Sequence, residues 1–272
     1  MGFIFDSRSA RHYDDWYQKK AGREVLQLEL DLIERLLEPR QGERLVDIGC
    51  GTGMHLAWFQ KMMLQVSGLD ASPYMLDRAK QRLPATVDLH RGRAEDLPFD
   101  DNEFDLATMI NTLEFVDNPT RALAEAIRVT RRRLVLGVLN KYALLAVQRR
   151  LKGLLVDTIY RHARFFSIWE LKEMLRSIAG PVPIQWGTVL FFPLPLVRLV
   201  KAVERQSIFQ HNPWGAFIVM SVDICYQFIT CSDPVGAPLQ QAGGQLPQGT
   251  LKVTLESLEG NKRQPPGRIA SA

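Results

Sequence analysis

Two periods of apolar spacing divide this chain. Residues 24–38 carry Val25, Leu28, Leu32, Ile33, Leu36 and Leu37 on one helical face, and Pro39 and Gly42 end the run. Short apolar runs follow at residues 45–48, 66–70, 86–90, 104–110 and 134–139. Their length and near-continuous apolar character predict buried parallel strands. Helical stretches separate them. Residues 54–63 offer Leu56, Trp58, Phe59 and Met62 for packing. Ser72-Pro73 reads as an N-cap and first helical residue, and a helix from Pro119 through Val129 turns Leu123 and Ile127 inward. Arg131, Arg132 and Arg133 then read as a solvated helix end favoured by the helix dipole. Past residue 140 the pattern loosens. Residues 142–155 form a helix-like insert with Arg149, Arg150 and Lys152 on one side. Ser167 caps a helix over 168–178, with Glu170 completing a capping box and Gly180 ending it. Residues 183–192 and 216–225 read as the last two strands. Strand alternating with helix predicts the α/β class.

Composition narrows the picture only modestly. A length of 272 residues allows one α/β domain with additions. The net charge of +4 is a mild lean towards anionic partners and no nucleic-acid signature. Cys50, Cys225 and Cys231 show neither metal spacing nor a paired framework, so no metal site and a reducing cytoplasmic setting are expected. No basic-then-apolar leader opens the chain, and no apolar run reaches the ~18–20 residues that span a bilayer. Residues 194–205 form a basic amphipathic helix, which either packs on the core or docks on a membrane surface. Residues 232–272 shift to Pro, Gly and Gln and are expected to be a disordered tail.

The chemistry concentrates at residues 46–53, Val-Asp-Ile-Gly-Cys-Gly-Thr-Gly. Strand, glycine turn and helix follow one another there. Glycines accept positive φ and let a ligand lie on the backbone, beside the N–H groups that open the next helix. A dinucleotide fingerprint needs Gly at positions one, three and six, and position six is Met54. No Gly-Lys-Ser/Thr follows, which argues against a phosphate-binding P-loop. Asp47, just ahead of the glycines, suits a ligand with a positive amino group. Asp70 ends the second strand 17 positions after Gly53, where a carboxylate reaches into the crevice and can accept from two ribose hydroxyls.

At these residues the chain resembles the class I S-adenosylmethionine-dependent methyltransferases, and within them the small-molecule group of methyltransferase type 11. The motif of acid, apolar residue and Gly-x-Gly-x-Gly is filled at every position by residues 47–53. The resemblance implies a Rossmann-like, doubly wound, seven-stranded sheet, mostly parallel with an antiparallel edge strand and helices on both faces. It implies S-adenosylmethionine as cofactor, held by Asp47, Gly49, Cys50, Gly51, Gly53, Asp70 and Ala71, with Met75 against the adenine. Residues 92–99 are similar to the family's Gly-x-Ala-Glu-x-Leu-Pro-Phe segment, which assigns Ala94 and Glu95 to the adenine edge. Arg93 departs from the short acceptor frequent at its position: a guanidinium accepts nothing, so Ala94 or Glu95 supplies the contact or Arg93 stacks on a ring. Asn111, after the fourth strand, would meet the methionine part. Glu114 is either substrate-facing or a solvated turn acid. Residues 1–23, with Tyr13, Trp16 and Tyr17, are either a surface arm fastened by Trp16 or a lid. His162, Arg164 and Phe166, in an insert over about 140–180 of a domain spanning 24–231, are candidates for a substrate wall.

The expected function is methyl transfer to a small, quinone- or lipid-like molecule, with a non-catalytic S-adenosylmethionine-binding or scaffolding protein as the alternative. A nicotinamide-dependent oxidoreductase is disfavoured by Met54 and Asp47. The sequence offers no evident catalytic base.

Overall fold

The computed structural model describes residues 3–143, 163–192 and 203–224. Its helices are α1 (Ser7–Gln18), α2 (Lys20–Leu37), α3 (Met54–Lys61), α4 (Pro73–Arg82), α5 (Pro119–Val129), α6 (Ile168–Ala179) and the single turn α7 (Ser207–Gln210). Its strands are β1 (Arg44–Ile48), β2 (Gln65–Asp70), β3 (Asp88–Arg91), β4 (Phe104–Ile110), β5 (Thr130–Leu139), β6 (Ile184–Val189) and β7 (Phe217–Asp223). They form one sheet in the order β3-β2-β1-β4-β5-β7-β6. The strands β3 to β5 of that order pair in parallel. β7 runs against both β5 and β6. The reversed strand therefore sits one place inside the edge, and β6 takes the edge itself. Connections leave β1 in opposite directions towards β2 and β4, which opens a crevice at the carboxyl ends of β1 and β4.

Side-chain alternation builds the two layers on either side of the sheet. On β1, Leu45 joins the core under α2 and α3 with Leu32, Ile33, Leu56 and Phe59. Val46 and Ile48 join the opposite core with Leu123 and Ile127 of α5 and Leu171 and Leu175 of α6. β5 and β7 divide in the same way: Val135, Phe217 and Val219 face one layer, and Leu134, Ile218 and Met220 the other. Truncating any of these fully buried leucines to Ala would cost roughly 2–5 kcal/mol.

The helix starts follow from their caps. Ser72 accepts from the Met75 amide, Asn118 from the Arg121 amide, and Ser167 and Glu170 complete a reciprocal capping box. Three expectations are corrected. Thr86 lies in a turn closed by Val87 N–H on the Pro84 carbonyl, so β3 begins at Asp88. Arg131, Arg132 and Arg133 belong to β5, because α5 stops at Val129. Their heads are paired: Arg131 with Asp105, Arg132 with Glu43, and the buried Arg133 with Asp223 at 2.6 Å and Glu38 at 2.9 Å. In the arm, the fastening does not rest on Trp16 alone: Tyr17 and Asp14 are buried while Trp16 is half-buried.

Much of the insert (144–162, with His162), most of the basic helix (193–202) and the expected tail lie outside the described residues. Within 203–205, the buried Glu204 accepts the Leu190 amide at 2.7 Å and Arg205 bonds Asp31 on α2. Among the described residues, no helix is long and apolar enough to cross a membrane.

Candidate active site

The crevice at the ends of β1, β2 and β4 is an open cleft. Its floor is the glycine loop. Gly49, Gly51 and Gly53 all take positive φ, at 79°, 53° and 74°. Their surroundings differ. A Cβ on Gly49 would lie 2.2 Å from Thr112 Oγ1, and one on Gly53 would lie 2.8 Å from Leu83. A Cβ on Gly51 would meet only Met75 Sδ, at 4.0 Å. Gly49 and Gly53 thus let the protein close on itself, whereas Gly51 leaves its backbone open to a ligand. The Gly49 and Cys50 amides both bond the Leu69 carbonyl, which pins the loop to β2.

Asp70 completes that anchoring. Its Oδ2 accepts the Gly51 amide and its Oδ1 the Ser72 amide, each at 2.8 Å. Burial raises its pKa against those two hydrogen bonds. Each oxygen keeps a lone pair, so the carboxylate holds the loop and can still accept from two hydroxyls.

Gly49, Cys50, Gly51, Asp70, Ala71, Met75, Ala94, Glu95 and Asn111 line the cleft. Asp47 and Gly53 are not in its wall. Asp47 is buried behind it, where Oδ1 accepts the Thr108 hydroxyl at 2.7 Å and Oδ2 has no partner among the described residues. Burial, with Asp70 adding to it, pushes Asp47 up to about 7. Glu95 spends its carboxylate on the protein, accepting the Asp117 amide at 2.8 Å and the Asn118 amide at 3.3 Å. Arg93 pairs with Asp117 at 2.5 Å and with Glu95, so its guanidinium bridges two acids. Asn111 takes φ +52° while its amide bonds the Gly137 carbonyl, which turns the chain at the end of β4.

Two substrate-side expectations are corrected. Glu114 is no solvated turn acid: it is 2% exposed, accepts the Leu139 amide at 2.7 Å, and burial raises its pKa to about 7. The loop after β4 folds back on the end of β5, and that carries Glu114 inside. Phe166 is 1% exposed in the core beneath α6, with the Arg164 guanidinium 5.2 Å from its ring, and neither residue lines the cleft.

The residues missed from the sequence come mostly from the start of the arm: Phe3, Ile4 and Phe5 line the cleft beside Tyr13, which the sequence placed in a possible lid. Phe5 lies edge-on to Phe3 at 5.1 Å and to Phe115 at 5.0 Å. The Phe3 amide bonds the Phe115 carbonyl, and the Ser72 hydroxyl bonds the Phe5 carbonyl. Burial raises the Tyr13 hydroxyl's pKa well above the ordinary tyrosine value, which keeps it protonated. His55, in the first turn of α3, also faces the cleft. The only sequence signals were the aromatic pairs near the chain start and a histidine inside an otherwise apolar helix opening. Among the described residues, no group of three or more His, Cys, Asp or Glu side chains could hold a metal ion.

Comparison with known proteins places this geometry. The family described as a methyltransferase domain matches residues 46–136. An uncharacterized protein of Methanocaldococcus jannaschii is 29% identical over 222 residues, covering 81% of this chain and 98% of that one. Demethylmenaquinone methyltransferase of Renibacterium salmoninarum is 41% identical over 90 residues, 33% of this chain and 38% of that enzyme, so the likeness is confined to part of its length. The crystal structure of an S-adenosylmethionine-dependent methyltransferase from Thermotoga maritima, described as a possible histamine N-methyltransferase, superposes with a TM-score of 0.64 at 28% identity. It covers 80% of this chain and 96% of that one.

Proposed function

We propose a small, apolar, ring-bearing methyl acceptor of the quinol type for this chain, which belongs to the class I S-adenosylmethionine-dependent methyltransferases. The cofactor assignment agrees with the residues present. Gly51 offers open backbone, Asp70 has a free lone pair on each oxygen, and the buried Met75 and Ala94 give an apolar slot beside them. The bound cofactor supplies an electrophilic sulfonium methyl. The protein's task is to hold the two reactants in line. Orientation of that kind contributes roughly 7–11 kcal/mol to lowering a barrier.

The observation that carries the acceptor class is the aromatic group of Phe3, Phe5 and Phe115 at the cleft, with Val116 beside it. Rings at 5.0–6.0 Å form an apolar aromatic wall that offers ring-to-ring contact to a flat acceptor. The likeness to demethylmenaquinone methyltransferase over part of its length supports the same class.

The test is methyl transfer from labelled S-adenosylmethionine to a panel of quinols, phenols, fatty acids and amines. Preference for quinols or phenols is expected. Preference for histamine or another cationic amine would overturn the acceptor class. Tight S-adenosylhomocysteine binding with transfer to nothing would favour the non-catalytic binding protein.

A further inference from the structure

The role of His55 follows from where it stands. It lies in the first turn of α3, is 4% exposed, and its Nε2 has no hydrogen-bond partner among the described residues. It faces the cleft together with Cys50, Gly51 and Tyr13. A buried ring nitrogen left without a partner loses its hydration and gains nothing in return, so such a group marks a place where a ligand atom belongs. The first-turn amides of an eight-residue helix lie beside it, with their positive dipole end.

The field around the loop is divided. On the strand side, burial raises the Cys50 thiol's pKa, and Asp70 and then Asp47 add to it. On the helix side, burial and then the Arg82 guanidinium hold His55 down to about 4, so its imidazole is neutral at pH 7 and carries one N–H. Of the acids near that side, Asp14 is committed to Thr52, Arg78 and Arg82. A zwitterionic amino-acid group would place its ammonium towards the aspartates and its carboxylate towards the helix.

We propose that His55, donating from Nε2 beside the N-terminal turn of α3, holds the carboxylate of the amino-acid end of S-adenosylmethionine. The proposal rests on the cofactor reading above. It makes His55 a binding residue for one end of that molecule, with no part in the chemistry at the methyl group.

Calorimetry with the full chain separates the two. S-adenosylhomocysteine carries the amino-acid end, and methylthioadenosine has the same nucleoside and thioether without it. In His55→Leu, affinity for S-adenosylhomocysteine should fall about tenfold or more, as expected for a lost charge-assisted hydrogen bond. Affinity for methylthioadenosine should stay within twofold. His55→Gln, which keeps an N–H donor, should recover most of the loss. Equal losses for both ligands, or none for S-adenosylhomocysteine, would overturn the proposal. Wild-type protein that binds neither ligand would overturn the cofactor reading itself. In the wild type, the His55 ring nitrogen resonances should move with S-adenosylhomocysteine and stay still with methylthioadenosine. That measurement decides the matter even if the leucine variant does not fold.

Discussion

The Asp14 carboxylate accepts the Thr52 hydroxyl at 2.7 Å, which ties the first helix of the chain directly to the glycine loop. Arg78 at 2.6 Å and Arg82 at 3.0 Å bind the same carboxylate from α4. Asp14→Ala should therefore release the arm. We expect faster proteolysis within residues 1–18, weaker S-adenosylhomocysteine binding and a stability loss of about 1–3 kcal/mol. Burial alone would raise the Asp14 pKa, but the Thr52, Arg82 and Arg78 hydrogen bonds reverse it to below the ordinary 3.8. Its contribution is thus complete above pH 3.8 and is lost as pH falls through the lower folded value. Limited proteolysis with unchanged rates in the variant would show that the clamp is unimportant.

Asp70 and Gly51 address the nucleoside end. Asp70→Ala removes the acceptor for the Gly51 and Ser72 amides and the proposed ribose partner. Binding of S-adenosylhomocysteine and of methylthioadenosine should fall together, by more than tenfold. Gly51→Val should do the same while adding roughly 1–2 kcal/mol of strain for a side chain at positive φ. Gly49→Ala should act differently, unfolding the loop against Thr112. Calorimetry and thermal melts on the three variants separate these outcomes.

Asp47 and Glu114 have folded pKa values raised to about 7 by burial. A raised carboxyl pKa stabilises the fold fully below the unfolded value, and that contribution is lost as pH rises to about 7. Each unit is worth on the order of 1.4 kcal/mol. His55, whose pKa is lowered to about 4, acts in the opposite sense as pH falls below 6.5. The difference between wild type and Asp47→Asn cancels the His55 contribution. That difference should shrink from pH 5 to pH 8 in denaturant titrations, and a flat profile would mean that Asp47 is ionised throughout.

Phe115 tests the acceptor wall. Phe115→Ala should raise KM for a quinol acceptor about tenfold, the scale of a buried aromatic contact. S-adenosylhomocysteine affinity should stay within twofold. Equal effects on both ligands would place Phe115 in the cofactor half of the cleft.

What could be read in advance was local. The glycine loop, the N-cap at Ser72, the capping box at Ser167 and the paired final strands each announce themselves within a few residues. The misreadings involve distant partners. Arg133 looked like a solvated helix end because its partner Asp223 lies 90 positions away on β7. Glu114 looked exposed because nothing near it in sequence reveals that the β5 end will cover it. Phe3 and Phe5 are too few to set a period, so their place in the wall depends on Phe115 and Ser72, which only the fold brings near.

The stretch from Phe3 to Phe5 crosses the cleft as a bridge with two footings, one on the loop after β4 and one at the start of α4. Its consequence is temporal. A variant that loosens either footing should therefore change how fast an occupant enters and leaves, and not only how tightly it is held.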